Sequence, residues 1–209
     1  MYGLDLADLA ITEIATTGAT PGWIYGHSAV LADEGRTIVV SRGKRLDEHH
    51  ASHENIDDWR LDLSTWRWQR LTERRWPRRE LRRADGQRNC LSDLQEAQWM
   101  RGTSLVPELG ALLEKLERDL GVVPDLDLVA RLFRPSVAHE ALPEADGPFN
   151  VVRIVVASVV VRFVHESYAL QMTVEGDLPL ATVDAIAEEL RARLSTLQHT
   201  DWTLTPIGA

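Results

Sequence analysis

The chain has 209 residues, 44% hydrophobic and 26% charged, with 23 Lys and Arg against 32 Asp and Glu for a formal net charge of −9. That length holds one large domain or two small ones with a sizeable core, and the acidic balance argues against indiscriminate nucleic-acid binding over the whole surface. The single cysteine, Cys90, excludes an internal disulfide framework, and no apolar run reaches the roughly 20 residues that span a bilayer.

The first fifteen residues, MYGLDLADLAITEIA, carry Asp5, Asp8 and Glu13 and no basic lead-in, unlike a signal peptide, so a cytoplasmic location without a membrane partner is expected. Residues 1–20 read as a short helix or arm ending in turn-prone TTGATPG. SAVLA (28–32) and TIVVS (37–41) flank DEGR, the pattern of a hairpin with a glycine in its turn. DDWRLDL alternates Trp59, Leu61 and Leu63, and STWRWQRL alternates Trp66 and Trp68. These four strands predict an antiparallel four-stranded sheet at the N-terminal end.

Gly26-His27-Ser28-Ala29, then TIVVSRG, then NIDDWRLDLSTWRWQRL follow the order of a single kelch-type repeat over residues 26–71, which resembles a propeller blade. The resemblance implies an "LDL" strand paired with a tryptophan strand. The sequence departs from the kelch pattern where Arg42-Gly43 stands in place of a double glycine. No second copy follows, so the resemblance implies a local sheet and no propeller function.

Residues 66–88, WRWQRLTERRWPRRELRRADGQR, hold nine arginines against three acids, a net +6 inside a chain whose remainder carries −15. Guanidiniums can pair with phosphate while Trp76 stacks on a base, which gives a nucleic-acid reading. The favoured reading is an arginine-rich connector whose side chains answer carboxylates of the same chain, with Trp66 and Trp68 packing.

The C-terminal half reads more plainly. Leu91–Met100 predicts a helix with Leu91, Leu94 and Trp99 as packing residues. PELGALLEKLERDLG places five leucines at helical spacing between Pro107 and Gly121. PDLDLVARLF predicts a short helix, and residues 134–148, with three prolines, read as a linker. NVVRIVVA, SVVVRFVH and YALQMTVEG form an antiparallel meander. A helix follows with Val183, Ile186, Ala187, Leu190, Leu194 and Leu197 on one stripe, and DWTLTPI returns as a strand. The expectation is an α+β chain: an N-terminal four-stranded antiparallel sheet, central helices, and a C-terminal meander covered by one helix, either divided into residues 1–85 and 86–209 or forming one compact domain.

No phosphate loop, nucleophile elbow or paired cysteines are present. His49, His50 and His53 in DEHHASHE are weak metal candidates in what reads as a solvated loop, and Cys90 reads as a structural thiol. His165-Glu166 reads as an exposed hairpin tip and His27 as a packed strand residue. No catalytic residue and no cofactor is assigned; an enzyme with a scattered His/Glu/Cys site is the alternative. The function expected is non-enzymatic protein binding. Size and acidity resemble bacterial immunity proteins that neutralise basic toxin domains, which implies electrostatically steered capture. Candidate partner-binding residues are Asp47, Glu48, Glu54, Asp57 and Asp58, with Arg78, Arg79, Arg82 and Arg83 as an anion-facing alternative. A homodimer that covers a lone sheet edge is a further expectation.

Overall fold

The computed structural model describes residues 1–46, 52–142 and 150–207. The chain is an α+β protein that divides into two compact units, Met1–Arg75 and Trp76–Ala209.

Unit 1 opens with a hairpin, β1 (Tyr2–Leu4) and β2 (Ile11–Glu13), rather than the expected helix or arm. The physical reason is local. Tyr2, Leu4 and Leu6 alternate at period two. The carboxylates of Asp5 and Asp8 accept hydrogen bonds from the backbone N–H groups of Ala7 and Ala10, turns that compete with helix formation. Then come β3 (Thr17–Gly18), β4 (Trp23–Tyr25), β5 (Ser28–Ala32), a 3-10 turn at Asp33–Gly35 and β6 (Thr37–Ser41). Strands β7 (Lys44–Leu46), β8 (Ser52–Glu54), β9 (Trp59–Asp62) and β10 (Arg67–Arg70) complete the unit.

The main sheet of unit 1 has five strands in the order β3-β10-β9-β6-β5, one more than expected. The four expected strands form an antiparallel meander, and β3 adds to β10 in parallel. A smaller sheet, β4-β7-β8, lies outside the expected layout. Register aligns Leu31, Ile38, Leu61 and Trp68 in one row, and Ala29, Val40, Trp59 and Arg70 in the next row on the same face. Val40, Trp59 and Leu61 are buried there and form the apolar centre of the unit. Trp66 leaves the strand: it sits in the β9–β10 turn at φ 53°, so it does not share a face with Trp68. His27 is exposed and precedes β5, which corrects its reading as a packed strand residue.

Unit 2 begins ten residues before the expected division, because the arginine-rich segment is a strand and not a connector. That strand, β11 (Arg78–Arg83), sits inside the second sheet, with β15 on one side and the last strand on the other. Its tail leads to α1 (Leu91–Met100), α2 (Val106–Leu120) and α3 (Leu126–Arg131), at or within a few residues of their expected bounds. Pro107 lies in the first turn of α2, and Gly121 ends it at φ 74°, the left-handed cap that only glycine adopts without strain. A two-residue strand, β12 (Glu140–Ala141), falls in the expected linker, the rest of which from residue 143 to 148 lies outside the described residues. The meander follows as β13 (Val151–Val156), β14 (Val159–His165) and β15 (Leu170–Glu175). Then come α4 (Leu180–Gln198) and β16 (Trp202–Pro206).

The sheet order is β12-β13-β14-β15-β11-β16, so the meander is extended by β11 and β16. Its buried row of Ile154, Val161 and Val174, with Phe163 and Met172 beside it, packs in one core with residues of all four helices. Leu94 and Ala97 of α1, Leu116 of α2 and Val129 of α3 join Val183, Ile186, Leu190 and Leu194 of α4. The sheet therefore shares its core with four helices and not with one. Every residue of the predicted α4 stripe is buried, whereas Trp99 of α1 is exposed.

Candidate interaction surface

The acids nominated as partner contacts split into two groups. Asp47 and Glu48, like the candidate ligands His49 and His50, lie outside the described residues. Glu54 lies opposite Lys44 in the β7–β8 register, and His53 lies opposite Arg45. Asp57 and Asp58 face inward. The buried Asp57 carboxylate accepts hydrogen bonds from Arg70 Nε (3.0 Å) and Nη2 (2.5 Å), from the Arg74 backbone N–H (2.9 Å) and from Thr72 Oγ1 (3.3 Å). Asp58 receives Arg74 Nη1 (3.1 Å) and Nη2 (2.5 Å). These two carboxylates fasten the segment after β10 to the loop before β9.

Beside them, buried Asn55 uses Nδ2 to donate to the Arg42 and Asp57 carbonyls, and its Oδ1 accepts from Trp59 Nε1. Arg45 and Arg70 place their guanidinium carbons 5.2 and 5.8 Å from the Trp59 ring centroid. This cluster of charge, ring and amide is the framework of unit 1, and it leaves Asp57 and Asp58 little capacity for a partner.

The arginines of β11 are engaged within unit 2. Arg79 Nη2 meets Asp184 of α4 at 2.5 Å, Arg82 pairs with Glu80, and Arg83 pairs with Asp85 at 2.6 Å. Arg83 also donates to Gln198 Oε1, while Arg78 sits in register opposite Thr173. Arg83 beside it holds the Asp85 carboxyl down at about 2. The stretch that looked like one basic patch is thus divided. Arg70 and Arg74 answer acids of unit 1, and Arg79, Arg82 and Arg83 answer acids of unit 2.

Two residues with chemical potential are placed structurally. Cys90 sits at the start of α1, half-buried, and burial pushes its thiol above the usual range, away from the thiolate that nucleophilic chemistry needs. His165 is not a hairpin tip: it is the last residue of β14 and is buried on the core face opposite Leu170. Among the described residues, no group of three His, Cys, Asp or Glu side chains has metal-binding geometry.

A different surface stands out, and it lay unread in the sequence. The β1–β2 hairpin is a two-stranded sheet separate from the larger ones. Leu4 lies opposite Ile11, with Tyr2 on the same face, and Leu6 and Leu9 project from the loop. All five are exposed, Leu6 at 82%. Leu9 is held at φ 59°, a left-handed conformation that costs a branched residue about 1–2 kcal/mol. On β4, Trp23 is 79% exposed and Tyr25 is also exposed. Residues 1–35 contain five acids and neither Lys nor Arg, while the Met1 ammonium lies on the hairpin and Lys44 and Arg45 stand opposite Tyr25 and Ile24 in the neighbouring strand. The signals that could have found it are the period-two apolar residues Tyr2, Leu4 and Leu6 and the turn-forming Asp5 and Asp8.

Comparison of the chain with protein-family models, with curated proteins and with solved structures gives no match.

Proposed function

We propose that this chain works by binding another protein, and that the partner is basic: an immunity-type role in which the acidic chain masks a basic toxin domain in a bacterial cytoplasm. The observation that carries the reading is the N-terminal hairpin. A two-stranded hairpin is marginal by itself in water, yet this one exposes Tyr2, Leu4, Leu6, Leu9 and Ile11 together. Exposed apolar and aromatic side chains grouped with a polar rim are the composition of a protein-binding surface. Asp5, Asp8 and Glu13 outweigh the Met1 ammonium on this hairpin, and attraction to a basic partner would speed encounter.

The kelch resemblance is part of the proposal, as a blade-like scaffold. Strands β5, β6, β9 and β10 run as an antiparallel meander, and both residues of Arg42-Gly43 have positive φ, 60° and 79°. That is the conformation a double glycine adopts without strain. A Cβ on Gly43 would come within 2.6 Å of the Tyr25 carbonyl oxygen, so glycine is required there.

The test begins with the neighbouring genes. A toxin-like reading frame directly upstream supplies the partner, and its product is measured against this chain by surface plasmon resonance. Replacing Leu6 and Leu9 together by Ser should weaken binding about 10-fold or more and leave the circular dichroism unchanged, because burying one leucine is worth roughly 1.5–3 kcal/mol. Neutralising Asp5, Asp8 and Glu13 should slow association at low salt. Unchanged association rates in that variant would sink the electrostatic part. Unchanged affinity in the leucine variant would sink the surface itself.

A further inference from the structure

The edges of the sheets are not equally protected. An edge strand offers a row of unsatisfied backbone groups, and proteins blunt it by shortness, proline, charge or cover. Strand β12 has two residues, β3 has two, and β4 and β8 have three each. Strand β16 has five residues and ends in Pro206. Strand β5 also has five residues, Ser28–Ala32, and none of these devices. It carries no charge and no proline. Ser28, Ala29, Val30 and Leu31 are exposed on both faces of the sheet, with Val30 at 59% and Leu31 at 63%.

We infer that β5 pairs with β5 of a second copy, antiparallel about a two-fold axis at Val30. The strand is self-complementary in that register. Val30 faces Val30, Leu31 faces Ala29, and Ala32 faces Ser28, so all five residues pair. Any other register leaves some of them unpaired. None of the five residues is charged, so no like charges oppose one another along the ladder. The pairing also brings Leu31 and Ala29 of each copy together on the face that already carries Ile38, Val40, Trp59 and Leu61, extending one apolar row across the axis. A second copy fits because the backbone groups of Ala29 and Leu31 face away from β6, and the axis at Val30 sets Ala29 of each copy against Leu31 of the other, closing the pairing at two chains. This inference does not rest on the protein-binding role, which uses the hairpin.

The test uses the full chain. Light scattering coupled to size exclusion should give twice the 23.5 kDa chain mass at micromolar concentration. Leu31→Pro, which removes a backbone donor facing the free edge, should give the single-chain mass with an unchanged circular dichroism spectrum. A mass of one chain for the native protein at every concentration overturns the inference, as does a Leu31→Pro variant that stays dimeric. Should Leu31→Pro fail to fold, Val30→Cys on a Cys90→Ser background replaces it. Val30→Cys should oxidise to a covalent dimer at least 10-fold faster than Val123→Cys on the same background, Val123 being exposed on a different unit. Equal rates for the two thiols overturn the pairing.

Discussion

Replacing Asp57 by Ala should destabilise unit 1 by about 2–3 kcal/mol. The size follows from what the carboxylate holds. Its side chain is 4% exposed and it accepts from Arg70, Arg74 and Thr72. Removing one member of a fully buried ion pair costs about 3–5 kcal/mol. Arg70 is 38% exposed, however, and can turn its guanidinium into water, so its share shrinks to the roughly 0–1 kcal/mol of a screened pair. The Arg74 backbone N–H, part-buried, cannot turn away as a side chain can, and leaving it unsatisfied costs up to the roughly 1–3 kcal/mol of a buried donor. For a unit of this size each kcal/mol moves Tm by roughly 4–8 °C, so a fall of about 10–20 °C is expected. Thermal unfolding followed by tryptophan fluorescence measures it, with hydrogen exchange of residues 55–75 assigning the loss to this unit. Glu13→Ala, on the exposed hairpin, is the control and should move Tm by less than 2 °C. If Asp57→Ala behaves like the control, Asp57 is a surface acid and the structural role given to it here is wrong.

Three further outcomes follow from the backbone and from one turn. The β13–β14 hairpin turns through Ala157 and Ser158 at φ 47° and 67°, a geometry that favours Asn-Gly, so Ala157→Asn with Ser158→Gly should raise stability by about 1 kcal/mol in calorimetry. Arg42→Gly should gain about 0.5–1 kcal/mol in urea titration, the relief at φ 60° being partly offset by the looser unfolded chain; a loss would mean that the Arg42 side chain contributes packing. Asp62 caps the β9–β10 turn by accepting from Ser64 Oγ and from the Ser64 and Thr65 backbone N–H groups, which hold its carboxyl at about 2. Because the folded value lies below the unfolded one near 4, its stabilising effect is complete above that pH and disappears as the pH falls towards 2. A carboxyl titration by NMR with a midpoint near 3.8 would contradict it, and Ser64→Ala should raise the midpoint.

The parts of the fold legible in the sequence are those with a strong local period. The α4 stripe, the leucines of α2 between Pro107 and Gly121, and the β13–β15 meander each contain enough residues to define a face without help from elsewhere. What escaped has long-range causes. Strand β11 reads as RRELRR, almost all charge, and only its pairing with β15 and β16 and the reach of Arg79 to Asp184 make it an interior strand of a sheet. His165 reads as a hairpin tip because Glu166 and Ser167 follow it, but it closes β14 on the core face and its ring is buried. The short β1 and β2 strands were hidden by apolar residues that fit a helix or a strand equally well. Their choice is made by two aspartates bonding to the backbone two residues on.

Charge distribution links the fold to the proposed role. An acidic chain with a concentrated run of arginines invites the view that the run is the functional surface, yet Arg70, Arg74, Arg79, Arg82 and Arg83 are spent internally on carboxylates of their own units. Pairing Arg70 with Asp57, Arg74 with Asp58 and Arg79 with Asp184 neutralises acids at positions where the backbone is held in place. The acids of residues 1–35 receive no such treatment. No Lys or Arg occurs before Arg36, and the nearby apolar side chains stay in water. The hairpin therefore sets its exposed apolar side chains beside Asp5, Asp8 and Glu13, three carboxylates against the Met1 ammonium. Such a surface suits a basic, partly apolar partner, the kind the proposed role requires.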